Sequence, residues 1–67
     1  MAFPPYFFWV YRDQAAEWRW TLWSWENHKK LADSGEGFSS RASCERNIAL
    51  VKRVVPVAPI HYHEKAR

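Results

Sequence analysis

The sequence predicts an α+β fold in which three antiparallel strands form a sheet, one helix covers one face of it, and a further strand ends the unit. Residues 6–25 contain two runs of aromatic and β-branched side chains, which favour strands, on either side of a short polar connection. Gly35 and Gly37 allow a sharp turn. The apolar residues after Ser40 then recur at intervals of four, three and four, the spacing of one helix face. Strands followed by a helix in this order are typical of an α+β domain.

The first two strands are predicted to form a hairpin. Strand one spans residues 6–12, after Pro4 and Pro5, which cannot donate to a ladder. The polar residues 13–16 have the length of a hairpin connection, so residues 17–25 form strand two. Successive side chains of a strand point to opposite faces, which divides strand two into two sides. One side holds Trp18, Trp20 and Leu22, and the other holds Arg19, Thr21, Trp23 and Trp25.

A second turn and a short third strand follow. Asn27 and His28 occupy the place of a two-residue hairpin turn, whose central residues both adopt positive φ. A histidine is strained in that conformation. Residues 30–34 are the third strand, and Leu31 is expected to face the core.

The helix is predicted from its cap, its apolar face and its end. Ser39 or Ser40 can accept a hydrogen bond from an unpaired amide of the first turn. Pro56 ends the helix because the residue before a proline avoids helical geometry. Residues 57–62 favour a strand, but Pro59 restricts them to a sheet edge or an arm exchanged with another chain. The apolar face comprises Cys44, Ile48, Val51 and Val55.

The short length of the chain favours oligomerisation. Its 67 residues allow one domain, residues 1–67, and a chain of that size buries only about 60% of its unfolded surface. Small domains are usually stabilised further by disulfides, metals or oligomerisation. Cys44 is the single cysteine, which excludes an intrachain disulfide and fits a small core residue in a reducing compartment. Oligomerisation is therefore the expected addition.

Charge and hydropathy make the chain mildly basic and give no membrane segment. The net charge is +3, and no run of like charge exceeds Lys29-Lys30. The apolar run at residues 3–11 is shorter than the ~20 residues that span a bilayer and has no cationic leader. We therefore expect a cytoplasmic protein without a membrane partner.

Taken together, these motifs make the chain closely resemble the YegP-like family, small bacterial domains of unknown function. The resemblance covers residues 8–52, with Ala16 and His28 at two turn positions where the family usually has glycine. The motifs are Phe8-Trp9-Val10-Tyr11-Arg12-Asp13, Glu17-Trp18-Arg19-Trp20 with Leu22, Asn27, Ala32-Asp33-Ser34-Gly35-Glu36-Gly37-Phe38, Ser40-Arg41-Ala42, Cys44, Ile48 and Val51-Lys52.

This resemblance implies a β-β-β-α-β unit that does not stand alone. Family members are tandem repeats or homodimers whose units join in one sheet and exchange C-terminal strands. For a chain with one unit it implies a homodimer, with residues 57–62 as the exchanged strand. The family carries no established catalytic residues, so none is transferred.

One sheet face is the candidate binding surface. If the other face packs on the helix, this one displays aromatic rings beside an arginine. Such rings are expected to cover a second hydrophobic surface, by packing against each other, against the N-terminal residues 3–6 or against a partner chain. Alternatively, this face binds single-stranded nucleic acid, with bases stacked on the rings and phosphates on the arginine. The residues are Trp9, Tyr11, Arg19, Trp23 and Trp25.

The sequence shows no catalytic constellation. Asp33 and Glu36 lie near each other without a motif that makes a pocket, and turn or cap roles suit them better. His61 and His63, even with His28 or Glu64, have no recognised metal-ligand spacing. We therefore expect no enzyme, metal or cofactor, but a small homodimeric interaction or accessory module. The alternative is the nucleic-acid-binding module.

Overall fold

The computed structural model describes residues 5–64 and shows a three-stranded antiparallel sheet with one helix. Strands β1 (Tyr6–Arg12), β2 (Trp18–Ser24) and β3 (Lys30–Asp33) lie in sequence order, so β2 is the central strand. Helix α1 (Arg41–Val54) follows, and a 3₁₀ turn, Val55–Val57, extends it. These elements confirm the predicted α+β class, the three strands and the helix.

The core lies between β2 and α1. Phe8 pairs with Leu22 and Val10 with Trp20, so these side chains share one face of the sheet. The Trp20 indole Nε1 donates to the Asn47 Oδ1 of α1 at 2.7 Å, which identifies that face as the helix side. Trp20 is 4% exposed and Cys44, on the helix, is fully buried. The predicted assignment of Trp20 and Leu22 to the helix side is therefore confirmed.

The first hairpin closes through a three-residue loop. The Asp13 amide donates to the Glu17 carbonyl at 2.8 Å, and the Ala16 amide donates to the Asp13 carbonyl at 3.0 Å. Ala16 has φ 63°, the left-handed conformation that completes this loop type. Alanine thus holds a conformation that glycine adopts at lower cost.

The second loop differs from its prediction. Strand β2 ends at Ser24, and residues 25–28 form a four-residue loop in which the His28 amide donates to the Ser24 carbonyl at 2.9 Å. His28 has φ 56°, as predicted, but Asn27 is not among the residues with positive φ. A single left-handed residue is sufficient to close this longer loop, so the expected two-residue turn is wrong.

The third strand is also shorter than predicted, and Leu31 does not face the core. Its side chain is 54% exposed. The β2–β3 register shifts between Leu22 and Trp23, and Ala32, rather than Leu31, lies opposite Leu22. A bulge of this kind changes the face to which a neighbouring side chain points.

Gly37 and Ser40 connect the sheet to the helix. Phe38 exchanges two backbone hydrogen bonds of 2.8 Å with Trp18, which brings Gly37 against Glu17. A Cβ added at Gly37 would lie 2.7 Å from the Glu17 Cβ, so only glycine fits there without a shift. Ser40 caps α1, with its Oγ accepting from the Ser43 amide at 3.1 Å. The cap is therefore Ser40 rather than Ser39.

The C-terminal segment, residues 57–62, forms no strand within the chain. Val57 ends the 3₁₀ turn, and residues 58–64 have no regular secondary structure. Val55, predicted on the apolar helix face, is exposed in the 3₁₀ turn, since Pro56 ends the regular helix before it can join the core. The exposed fractions of Val57, Ile60 and Tyr62 are 78%, 76% and 87%.

Candidate functional site

The candidate residues lie mostly together on the sheet face opposite the helix, here called the outer face. Cross-strand pairing places Trp9 opposite Thr21, Tyr11 opposite Arg19, and Phe7 opposite Trp23, and directly opposed side chains share a face. Four of the five candidates, Trp9, Tyr11, Arg19 and Trp23, are therefore brought together.

Trp25 lies beyond β2, at the start of the second loop. Its ring meets the edge of Phe7 with 5.3 Å between centroids, and its centroid is 6.4 Å from that of His28. Sequence reasoning missed Phe7. It stands two residues before Trp9 in the same strand, and this spacing is the signal that assigns it to the outer face.

A cavity of about 420 Å³ opens on the outer face, at the end nearest the second loop. This outer cavity is lined by Phe7, Trp9, Trp23, Ser24 and His28. Three aromatic rings supply most of its wall, and no carboxylate, lysine or arginine is among the lining residues. Trp9 is 56% exposed at its rim. Such a cavity suits an apolar or flat group rather than an ion.

The arginine of the outer face is held by a carboxylate. Arg19 Nε donates to Asp13 Oδ2 at 2.5 Å, and the other Asp13 oxygen accepts from the Ala15 and Glu17 amides at 2.9 and 3.0 Å. The hydrogen bond from Arg19, with those from the two amides, holds the pKa of Asp13 below its ordinary value. Arg19 thus ties the first hairpin loop to β2.

The lysine at the start of β3 is paired in the same way. Lys30 Nζ donates to Asp33 Oδ2 at 2.9 Å, and this hydrogen bond lowers the pKa of Asp33. Lys30 pairs with Trp23 and Asp33 with Thr21, so this ion pair also borders the outer face. Both cations named in this region therefore have a carboxylate partner on the chain itself.

In the part of the chain that the structure describes, the residues considered for catalysis or metal binding do not come together in a site. No three His, Cys, Asp or Glu side chains between residues 5 and 64 gather where they could hold a metal. Across the same residues, no helix has the length and apolar character needed to cross a membrane. Asp33 is engaged with Lys30, and the Glu36 carbonyl accepts from Ser34 Oγ at 2.8 Å, which are turn roles.

The fold and this surface define a small α+β domain: a three-stranded antiparallel meander with a helix on one side and aromatic rings on the other. A family described as a domain of unknown function, DUF1508, matches residues 13–61. The chain belongs to this family, which confirms the resemblance to YegP-like proteins.

Two relatives extend the comparison. A UPF0339 protein of Neisseria meningitidis serogroup B is 33% identical over 54 residues, covering 81% of this chain and 93% of that protein. The solution structure, by NMR, of a protein from Haloferax volcanii is similar with a TM-score of 0.82 and 36% identity, over 91% of this chain and 100% of that one. The solved structure from Haloferax volcanii shares the fold, and the descriptions of the family and of these two proteins assign no activity.

Proposed function

We propose that this chain is a small cytoplasmic interaction module, without a catalytic site of its own, that works as a homodimer joined by its C-terminal segments. The observation that carries the proposal is the exposure of apolar residues in that segment. Val57, Ile60 and Tyr62 are each at least three-quarters exposed. Side chains of this kind lower the free energy of the chain when an interface removes them from water.

The total surface supports an interface. A compact folded chain of this mass exposes about 4500 Å², whereas this 8.0 kDa chain exposes 6026 Å². The difference is about 1500 Å² per chain, or about 3000 Å² for two chains, and obligate homodimers bury about 2000–5000 Å² in total between two subunits. The radius of gyration is 14.7 Å, against about 11 Å for a compact chain of this length. The chain therefore has more exposed surface than a compact monomer of its mass, which favours an interface.

The sheet also offers edges for pairing. In the described part of the chain, β1 and β3 each pair with β2 on one side only. An extended segment from another copy can add to such an edge through backbone hydrogen bonds. The sequence resemblance implies exchange of this kind, and residues 57–62 are the segment it implies.

Sedimentation equilibrium tests the dimer. Over micromolar to submillimolar concentrations we expect the wild type to sediment at twice the mass of the 8.0 kDa chain. A variant that ends at Pro56 should be monomeric, while a control that ends at Glu64 should remain dimeric. A wild-type protein that stays monomeric at the highest concentration would contradict the proposal.

Single-stranded nucleic acid is the second candidate, favoured by the open outer cavity and the exposed ring of Trp9. The carboxylate partners of Arg19 and Lys30 weigh against phosphate contacts, which places this candidate second. Titration of tryptophan fluorescence with single-stranded RNA and DNA tests it. Binding through this face predicts quenching that persists at physiological salt and that Trp23→Ala or Trp25→Ala removes, but not Tyr6→Ala.

A further inference from the structure

We propose that the C-terminal segment of a second copy lies along the free edge of β1 and that its Ile60 side chain enters the outer cavity, against the rings of Phe7, Trp9 and Trp23. The inference rests on the homodimer proposed above and adds the site at which the exchanged segment docks. It gives the aromatic outer face and the apolar segment one common role.

The chemistry of the cavity selects an apolar occupant. Its wall consists mainly of aromatic rings, and the charged groups that border the outer face are already paired with each other. An ammonium or phosphate group would find no unpaired counter-charge among the lining residues. A branched aliphatic side chain loses water-exposed surface on every side when it enters such a cavity. Ile60 has this chemistry and is 76% exposed.

The segment can dock as an extended strand with Ile60 on one side. Ala58 has φ −75° and ψ 125°, an extended conformation that the following Pro59 favours. Alternate side chains of an extended segment point to the same side. In a docked strand, Ala58, Ile60 and Tyr62 would therefore form one side, and Pro59 and His61 the other.

A C-terminal segment that fills this cavity comes from another molecule. No residue of the C-terminal segment lines the outer cavity of its own chain, and the whole segment is exposed there. Two chains together exceed the surface of two compact chains by about 3000 Å², which lies within the range that obligate homodimers bury. A two-fold symmetric exchange fills both cavities at once.

A mixed-label NMR experiment tests this docking directly. Isotope-labelled and unlabelled chains are mixed at equal amounts, and an isotope-filtered NOESY spectrum records contacts between copies only. We expect intermolecular contacts from the Ile60 methyl groups to the indole protons of Trp9 or Trp23. A dimer whose Ile60 contacts lie elsewhere, such as along β3, overturns the docking site but leaves the homodimer standing. A monomer overturns both proposals.

Matched variants give a second measurement. Ile60→Asp should raise the dimer dissociation constant at least about tenfold, the effect of losing one buried aliphatic side chain. His61→Asp introduces the same charge on the opposite side and should have little effect.

Trp9→Ala should weaken the dimer as Ile60→Asp does. Tyr6→Ala removes an equally exposed ring on the helix side and should not weaken the dimer. Equal weakening by each variant and its control overturns the inference, and melting curves verify that the variants fold.

Discussion

Two residues of this chain hold left-handed backbone without being glycine. Ala16 has φ 63° and His28 has φ 56°, and each closes one of the two hairpins. For a residue with a Cβ this conformation costs about 1–2 kcal/mol. Both loops set the register of the sheet, so this cost lowers the stability of the whole domain.

We expect His28→Gly to stabilise the protein by about 1 kcal/mol, because glycine adopts positive φ without a Cβ clash. For a domain of this size that corresponds to a rise in Tm of about 4–8 °C. Thermal unfolding followed by circular dichroism measures it. Ala16→Gly is the matched variant, since Ala16 has no side chain to lose beyond its methyl group. An unchanged or lower Tm for both would count against backbone strain at these loops.

Gly37→Ala should destabilise the protein by about 1–3 kcal/mol, the usual cost of forcing an atom into a packed site. The added Cβ overlaps the side chain of Glu17, including its Cβ at 2.7 Å. Denaturant unfolding of the single variants and of Glu17→Gly/Gly37→Ala tests the cause. The double variant should be less destabilised than the sum of the single changes, since the clash is then gone. Strict additivity would show that the two positions do not meet.

At the scale of the elements, the first hairpin loop is organised around Asp13. One oxygen accepts from two loop amides and the other from Arg19 of β2. The carboxylate therefore stabilises the loop more strongly when it is ionised than when it is protonated.

This arrangement predicts a loss of stability in acid. The pKa values of Asp13 and Asp33 are lowered in the folded chain, so their contribution is complete above the ordinary aspartate pKa of about 3.9. It is lost as the pH falls below that value through the lowered pKa. Unfolding midpoints between pH 2 and pH 7 should fall in the acid range. Asp13→Asn should be less stable at neutral pH and should lose less in acid. An equal acid dependence would exclude this role for Asp13.

The elements themselves were predictable because their signals are local. Alternation in β1 and β2 assigned Trp20 to the helix side, and the spacing after Ser40 located α1. The bulge that exposes Leu31 could not be foreseen, because a register shift depends on how two strands meet rather than on either strand alone. The early end of β2 has the same origin, since the four-residue loop begins at Trp25.

The sheet face that holds the candidate residues was predictable, but the shape of the cavity on it was not. Period two placed Trp9, Tyr11, Arg19 and Trp23 on one face. The outer cavity depends on the pairing register and on the path of the second loop, which brings His28 to its wall. The ion pair between Arg19 and Asp13 joins residues on either side of a turn. Composition alone could not show whether Arg19 is paired or free.

At the scale of the whole molecule, the small core and the large exposed surface make stability depend on concentration. Only Trp20 and Cys44 are buried among the apolar residues described. If two copies are needed to complete the fold, Tm should rise with protein concentration, because the folded dimer is favoured by mass action. Thermal melts over a hundredfold range of concentration measure this. A variant that ends at Pro56 should melt at one lower temperature throughout, and a concentration-independent Tm for the wild type would contradict the homodimer.

The burial of Cys44 has a practical consequence. Its thiol is fully enclosed between helix and sheet, and burial raises its pKa, so it reacts slowly with electrophiles while the chain is folded. A maleimide or disulfide reagent can then modify the protein only when α1 separates from the sheet. Cys44 is the single cysteine of the sequence, so the rate at which it is labelled reports how often α1 separates from the sheet. Mass spectrometry measures that rate without an engineered probe.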